Sequence, residues 1–311
     1  VTYALVKRVL IAIPTLIGVT VILFITLRLL PGDPVSVLLG SSPSTPQVAA
    51  SLRQQFGLDQ PLWQQYLSFV KDAVTLDLGT SYSTRQPVTQ VIGQQIWPTL
   101  QLALCAAAVS AVAGILLGSL SAIFRNSWLD GMIRVLSLIS TAMPSFWVGL
   151  LLIMLFSFTL HLFPATGSAG AASLVLPSVT LGLSAAGVVT RLVRNSIIEV
   201  LGENFVTALH AKGLRTRVVV GKHVLRNAVI PTITIIGFQL GALLAGAVIV
   251  ETVFARRGLG QTLVQAIQGQ DYPVIQGVVL VIAAIYLLIN IVVDVSYAYV
   301  DPRVRVAIGK S

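Results

Sequence analysis

The chain has 311 residues, of which 55% are hydrophobic and 10% charged, and its mean hydropathy is +0.89. Soluble domains carry about 25% charged residues, so that class is excluded. The net charge of +9 raises nucleic acid as a partner class, but the loop asymmetry described below accounts for it, and no nucleic-acid partner is expected.

Apolar stretches near 20 residues match a hydrocarbon core of about 30 Å at 1.5 Å rise per residue. The alternation of a transmembrane barrel is absent. The first stretch, Val9–Leu30, follows Lys7 and Arg8. It is too long for a signal-peptide core, and Leu30-Pro-Gly-Asp-Pro34 follows without a small-x-small site, so it reads as a spanning helix. Five more spans follow: Thr99–Ile123, Ile133–Leu160, Leu174–Leu192, Ala228–Val253 and Val274–Tyr297. Pro144 should kink or break the third. The fold class is therefore an all-α polytopic membrane protein with six transmembrane helices.

With the N-terminus inside, 14 of the 20 Lys and Arg residues fall on the cytoplasmic side. That is the positive-inside pattern, and it places both termini in the cytoplasm. The chain then divides into an N-terminal span (1–30), an outer segment (31–98), a core (99–300) with a cytoplasmic loop at 191–227, and a tail (301–311).

The outer segment contains Pro61–Val70, whose Leu62, Tyr66, Phe69 and Val70 share a helical face. Two readings stand open for it: a cap on the membrane surface, or a docking surface for an outside partner. Residues 40–46 and 79–89 read as turns. In the cytoplasmic loop, Leu201, Phe205, Ala208 and Leu209 share a helical face, Gly213 fits the C′ position of that helix, and a second helix should cover Arg215–Asn227. Such a helix–Gly–helix hairpin is either a lever or an amphipathic loop lying on anionic lipid.

Chemistry of other kinds is missing from the sequence. There is no phosphate-binding G-x-x-x-x-G-K-[ST] loop. His161, His210 and His223 are scattered, Cys105 is a single thiol in an apolar run, and no catalytic or metal site is expected. Glu251 and Asp294 lie in or at the ends of spans, where an ionisable group is a functional candidate. Glu251 is read as an outer gate or a structural hydrogen-bonding group, Asp294 as pairing near the inner interface. Gly114 and Gly118, and Gly237, Gly241 and Ala245, recur at four-residue spacing. Such spacing permits close helix packing, and Gly237 and Gly241 could otherwise line a pathway.

Several strings together resemble one family. They are Leu30-Pro-Gly-Asp-Pro34, Phe56-Gly-Leu-Asp-Gln-Pro-Leu62, Asp77-Leu-Gly79, Ala211-Lys-Gly-Leu214, His223-Val-Leu-Arg-Asn-Ala228, Asp271-Tyr-Pro-Val-Ile-Gln276 and Asp301-Pro-Arg-Val-Arg305. In this order they resemble the first permease subunit of the dipeptide, oligopeptide, glutathione and nickel importers among binding-protein-dependent ABC transporters. The resemblance implies the type I ABC importer permease fold with an extended outer loop after the first helix, in a bacterial inner membrane. It implies a homologous second permease, two ATPase subunits that carry ATP and Mg, an extracytoplasmic substrate-binding protein and membrane lipid as partners, with no cofactor in this chain. It makes the 191–227 loop an ATPase-coupling loop, with Phe205, Thr207, Ala208, Leu209, Gly213 and Leu214 as coupling residues. Thr207 stands where the family carries Glu, and Arg256-Arg257 where Trp-Pro is frequent. The short loop His161–Ser173 is closer to the glutathione and nickel types. The alternative from another class is an ion-gradient-driven secondary transporter, which predicts charges along the path and no ATPase.

Overall fold

The computed structural model describes residues 2–29, 46–55, 59–215 and 218–300. Among them, secondary structure is helical apart from one isolated bridge between Thr80 and Pro87. Hydrocarbon offers the backbone no hydrogen-bond partner, so a spanning chain must satisfy its own amides, and long helices do so. In chain order these are α1 (Thr2–Leu29), α2 (Pro46–Gln55), α3 (Leu62–Val74), α4 (Val88–Ile123), α5 (Trp128–Ala142) and α6 (Ser145–Leu152). A π-helical turn (Ile153–Thr159) continues α6. Then come α7 (Ala172–Leu201), α8 (Asn204–Ala211), α9 (Leu225–Val253), α10 (Leu259–Gln268) and α11 (Tyr272–Val300).

Within α1, α4, α7, α9 and α11 lie apolar windows long enough to cross a membrane. A sixth apolar passage is interrupted: α5 and the α6–π-helical segment (Ser145–Thr159) are bent by 109° relative to one another. Pro144 causes the break. It has no N–H to continue α5, and it forces Met143 out of the helical region, to ψ 132°. The broken pair begins beside α4 and α7, where Asp130 meets Ser121 and Arg194. It ends in a loop where Gly167 N donates to Phe254 O (3.0 Å) and Arg257 N donates to Ser168 Oγ (2.9 Å). Those contacts lie at opposite ends of the bundle. The end with Asp130 carries most of the basic residues and is called the basic end below.

Two boundaries differ from the sequence reading. The second span begins at Val88 rather than Thr99, because Pro87 at φ −56° starts the helix and Val88 and Ile92 bury against α11. The part of the expected second loop helix that is described, 218–227, is not separate from the fifth span: a π-helical turn, Val219–Val224, runs straight into α9, which extends N-terminally past its apolar window Ile235–Val253.

Three apolar clusters hold the bundle. One joins α1, the start of α4, α10 and α11 at the opposite end. The second lies mid-bundle among α4, α6, α7 and α9. The third, at the basic end, joins Val193 and Ile197 of α7 to Val206 of α8 and to Val219, Val224 and Ala228. Small residues set the helix spacing. A Cβ on Gly114 would stand 2.5 Å from Val189 Cβ, and one on Gly118 2.6 Å from Thr190 O, so α4 and α7 touch backbone to side chain.

Candidate functional site

The basic end presents a short exposed helix, α8. The chain turns sharply at Gly202 and Glu203, and Glu203 enters α8 in an extended conformation (ψ 145°). Val206 is buried in the third cluster. Phe205, Thr207 and Ala208 are exposed, and Leu209 and Leu214 are half-buried against that cluster. The helix ends in a Schellman motif. Gly213 N donates to His210 O (2.9 Å) and Leu214 N to Leu209 O (3.3 Å), with Gly213 at φ +80°. A side chain at Gly213 would meet no atom within 4 Å, so the glycine is required by its left-handed backbone and not by space. All six residues expected to couple to an ATPase therefore lie on α8 and its terminal turn.

The same end of the bundle holds a buried ion pair. Asp130 is fully buried at the start of α5, where Ser127 caps the helix by accepting from Asp130 N (3.3 Å). Its carboxylate accepts two hydrogen bonds from the Arg194 guanidinium, each 2.8 Å. It also accepts from Ser121 Oγ (2.6 Å) and Asn126 N (3.1 Å). One acid thus ties α4, α5 and α7 together. Arg191, one turn before Arg194, donates to Ser137 O on α5 (2.8 Å).

At the opposite end, Glu251 is fully buried at the end of α9. Its carboxylate accepts from Thr99 Oγ1 (2.6 Å), Gly260 N (2.8 Å) and Gln261 N (3.3 Å). The last two are orphan amides of the first turn of α10, so a side chain from another helix caps α10. Thr99 completes the joint by accepting from Leu259 N (2.8 Å). A Cβ on Gly258 would run into the Glu251 carboxylate, and one on Gly260 into Val248 Cα. Nearby, Arg256 is buried and donates to Gln101 Oε1 (3.2 Å), and burial pulls its guanidinium below the usual arginine value.

A second joint lies close by. Asp271 Oδ2 accepts from Ser81 Oγ (2.6 Å), Ser83 Oγ (3.0 Å) and Ser83 N (3.1 Å), which clasps the 79–87 turn to the start of α11. The Tyr82 hydroxyl there is pushed up to about 12 by burial, with the Asp271 charge adding to it. These contacts bring together the Asp77-Leu-Gly79 and Asp271-Tyr-Pro273 strings, 190 residues apart at the Ser81–Asp271 bond.

The four pathway candidates do not converge. A Cβ on Gly237 would meet Val293 at 2.7 Å, and one on Gly241 would collide with the Tyr286 ring, so both glycines sit in the α9–α11 contact. Glu251 lies in the α10 joint. Asp294 is on α11, next to Val293, and its side chain is outside the described residues. Among the described residues, no three His, Cys, Asp or Glu side chains gather as a metal site.

Sequence reasoning missed Asp130, Asp271 and Thr99 as joints. One signal was present: Asp130 is the only acid between Asp77 and Glu199, in an otherwise basic and apolar stretch.

The two family models and the curated relatives agree over nearly the whole chain. Residues 114–306 match the family model for the binding-protein-dependent transport system inner membrane component, and residues 1–103 match its N-terminal counterpart. The chain is 40% identical over 300 aligned positions to the glutathione transport system permease protein GsiC of Escherichia coli K12, covering 96% of this chain and 98% of that protein. It is 37% identical over 330 positions to the dipeptide transport system permease protein DppB of the same strain, covering 96% and 97%. Among solved structures, a chain of the inward-facing MetNI methionine ABC transporter superposes with a TM-score of 0.60 at 21% identity, covering 69% of this chain and 98% of that one. At that identity the match speaks for the fold alone.

Proposed function

We propose that this chain, which belongs to the binding-protein-dependent transport system inner membrane component family, is the membrane-spanning subunit through which an ATP-driven importer moves small peptides of the glutathione and dipeptide class. Two features of the relatives support that solute class. Two curated relatives that the chain covers almost fully are a glutathione and a dipeptide permease. The 300-position match to GsiC needs almost no added residues, whereas 330 positions for a chain of 311 residues require extra residues in DppB. The compact glutathione type is therefore the favoured member of the class.

The observation that carries the mechanism is α8. It is short and exposed, it is rooted by Val206 in the cluster that joins α7 to the π-helical start of α9, and Gly213 terminates it. An ATPase subunit seats against Phe205, Thr207, Ala208 and Leu209 on the cytoplasmic side. A push on α8 is passed to the π-helical start of α9, against which it packs, and to α7 through the buried cluster that Val206 shares with Val193 and Ile197. The Asp130–Arg194 pair extends that body to α5 and α4. At the other end, α9 carries α10 and α4 through Glu251 and Thr99. The helices thus move as rods between two discrete packings, as alternating access requires. A homologous permease forms the other wall of the path. A binding protein delivers the solute to the outer side, and both termini face the cytoplasm.

The test is purification from the native membrane in mild detergent. The reading expects a second permease and phosphate-loop ATPase subunits to co-purify, with ATP hydrolysis stimulated by a glutathione-loaded or peptide-loaded binding protein. A stable complex without any ATPase contradicts it.

A further inference from the structure

Helix α3 is amphipathic in three sectors, and among the described residues one of them packs against α1. Tyr66 and Phe69 face α1. The Tyr66 hydroxyl lies 3.0 Å from Thr20 Oγ1, and the Phe24 ring meets Tyr66 edge-on at 5.6 Å and stacks with Phe69 at 6.3 Å. The next sector holds Trp63, Leu67 and Val74, at i, i+4 and i+11, which are 62%, 56% and 79% exposed. The third sector holds Gln64, Ser68, Lys71 and Asp72.

The contacts with α1 fix the depth of α3. The apolar window of α1 ends at Leu29, and the Arg28 guanidinium sits 5.3 Å over the Phe24 ring. At 1.5 Å per residue, Phe24 lies about 6 Å inside the level of Arg28 and Thr20 about 12 Å inside it. Helix α3 is therefore held below the charged rim of the span and not above it. Amphipathic helices of the bilayer interface bury their apolar face about 5–10 Å into the headgroup and acyl boundary, which is the same depth. At these levels α1 itself presents Ile22, Ile25 and Leu29 outward.

We propose that α3 is an interfacial helix and that the Trp63–Leu67–Val74 stripe is covered by phospholipid acyl chains. Phospholipid fits all three sectors. The apolar stripe enters the acyl layer continuous with the surface of α1. The Trp63 indole N–H can bond at headgroup level. Lys71, beside Leu67 on the helix, can extend its ammonium to lipid phosphate. The polar sector then faces water. This goes beyond the permease reading and rests on it only in treating α1 as a spanning helix.

Nitroxide scanning of the full chain, in its complex and in vesicles of phosphatidylethanolamine and phosphatidylglycerol, tests the proposal. Cys105→Ser and removal of cysteines from the co-purifying subunits provide the background. Labels are placed by Trp63→Cys, Leu67→Cys and Val74→Cys, and by Gln64→Cys, Ser68→Cys and Lys71→Cys. Collision with dissolved oxygen, which concentrates in the bilayer, is compared with collision with nickel ethylenediamine diacetate, which stays in water. The expected result is a severalfold excess of oxygen collisions at 63, 67 and 74, and the reverse at 64, 68 and 71. Low collision with both reagents at 63, 67 and 74 would mean a protein subunit covers the stripe and would overturn the proposal. Dominant nickel collisions at all six positions would overturn it in favour of a water-exposed cap. ATP-driven uptake by the same vesicles reads the permease assignment separately.

Discussion

Asp130 and Arg194 form a bidentate ion pair between two helices, with both hydrogen bonds at 2.8 Å and the carboxylate fully buried. Their spacing in sequence gives no hint of it. Removing Arg194 leaves the buried carboxylate with only the longer contact to the exposed Arg134 (3.6 Å), and breaking a buried pair in this way costs up to about 3–5 kcal/mol, whereas removing both partners costs far less. Arg194→Ala should therefore lower the thermal unfolding temperature of the detergent-solubilised complex more than Asp130→Ala with Arg194→Ala together. A double-variant loss equal to the sum of the two single-variant losses would show that the pair is not coupled.

The α10 joint predicts a polarity effect. Every partner of the Glu251 carboxylate is a donor. Glu251→Gln can turn its NH2 to the Thr99 hydroxyl and its oxygen to Gly260 N and Gln261 N, but it replaces charge-assisted hydrogen bonds by weaker neutral ones, at a cost of about 1 kcal/mol. Gly260→Ala pushes α10 off Val248. Both variants should expose the 255–258 turn to protease in the folded complex, and Thr252→Ala, on the exposed side of α9, should not.

Gly213 predicts a coupling defect. A β-substituted residue at φ +80° costs about 1–2 kcal/mol, and Asn is better tolerated there than a β-branched residue. Gly213→Val should raise the ATP hydrolysed per solute imported, Gly213→Asn should change it little, and expression should be unaffected. Unchanged stoichiometry in Gly213→Val at normal expression counts against α8 as the lever.

The α4–α7 contact predicts suppression. Gly114→Ala places a methyl group where Val189 stands, and such overpacking typically costs about 1–3 kcal/mol. Val189→Ala should restore part of the lost stability in the double variant. A purely additive pair of losses would mean that the two helices do not meet there.

Tyr82 predicts an alkaline signature. Its hydroxyl is pushed up to about 12 against an unfolded value of about 10, so the folded state holds the proton more tightly. The resulting stability is complete below about pH 10 and is lost as pH rises to about 12. Phenolate absorbance, read as the difference between the native chain and Tyr82→Phe, should appear near the upper value. Titration of that difference near pH 10 in the folded complex would contradict the burial.

Helices were the legible part of this chain. Apolar length alone located the spans, because a hydrocarbon core permits little else, and Pro144 located the break in the third. The Gly213 terminus was legible too, since few residues suit a left-handed C′ position. The joints were not. Glu251 caps a helix nine residues on, and Asp271 reaches back 190 residues to Ser81. Neither distance is encoded in local periodicity. Glu251 could be read as gate or structure because burial of an acid says only that it must find donors. The partners of Asp130 come from two other helices, so a single acid in a basic loop was the whole of its signal. The α3 face was visible as an amphipathic pattern, but its depth became readable only through Thr20 and Phe24 on α1.

The central claim, that this chain conducts solute under the drive of ATP, is tested most directly by uptake into proteoliposomes holding the purified complex, with the solute-loaded binding protein outside the transport path's outer face. The account predicts accumulation of glutathione or a dipeptide only when ATP and Mg reach the α8 side, reduced per ATP hydrolysed by Gly213→Val and indifferent to a proton or sodium gradient. Accumulation driven by an ion gradient without ATP would contradict the account and make the chain a secondary transporter.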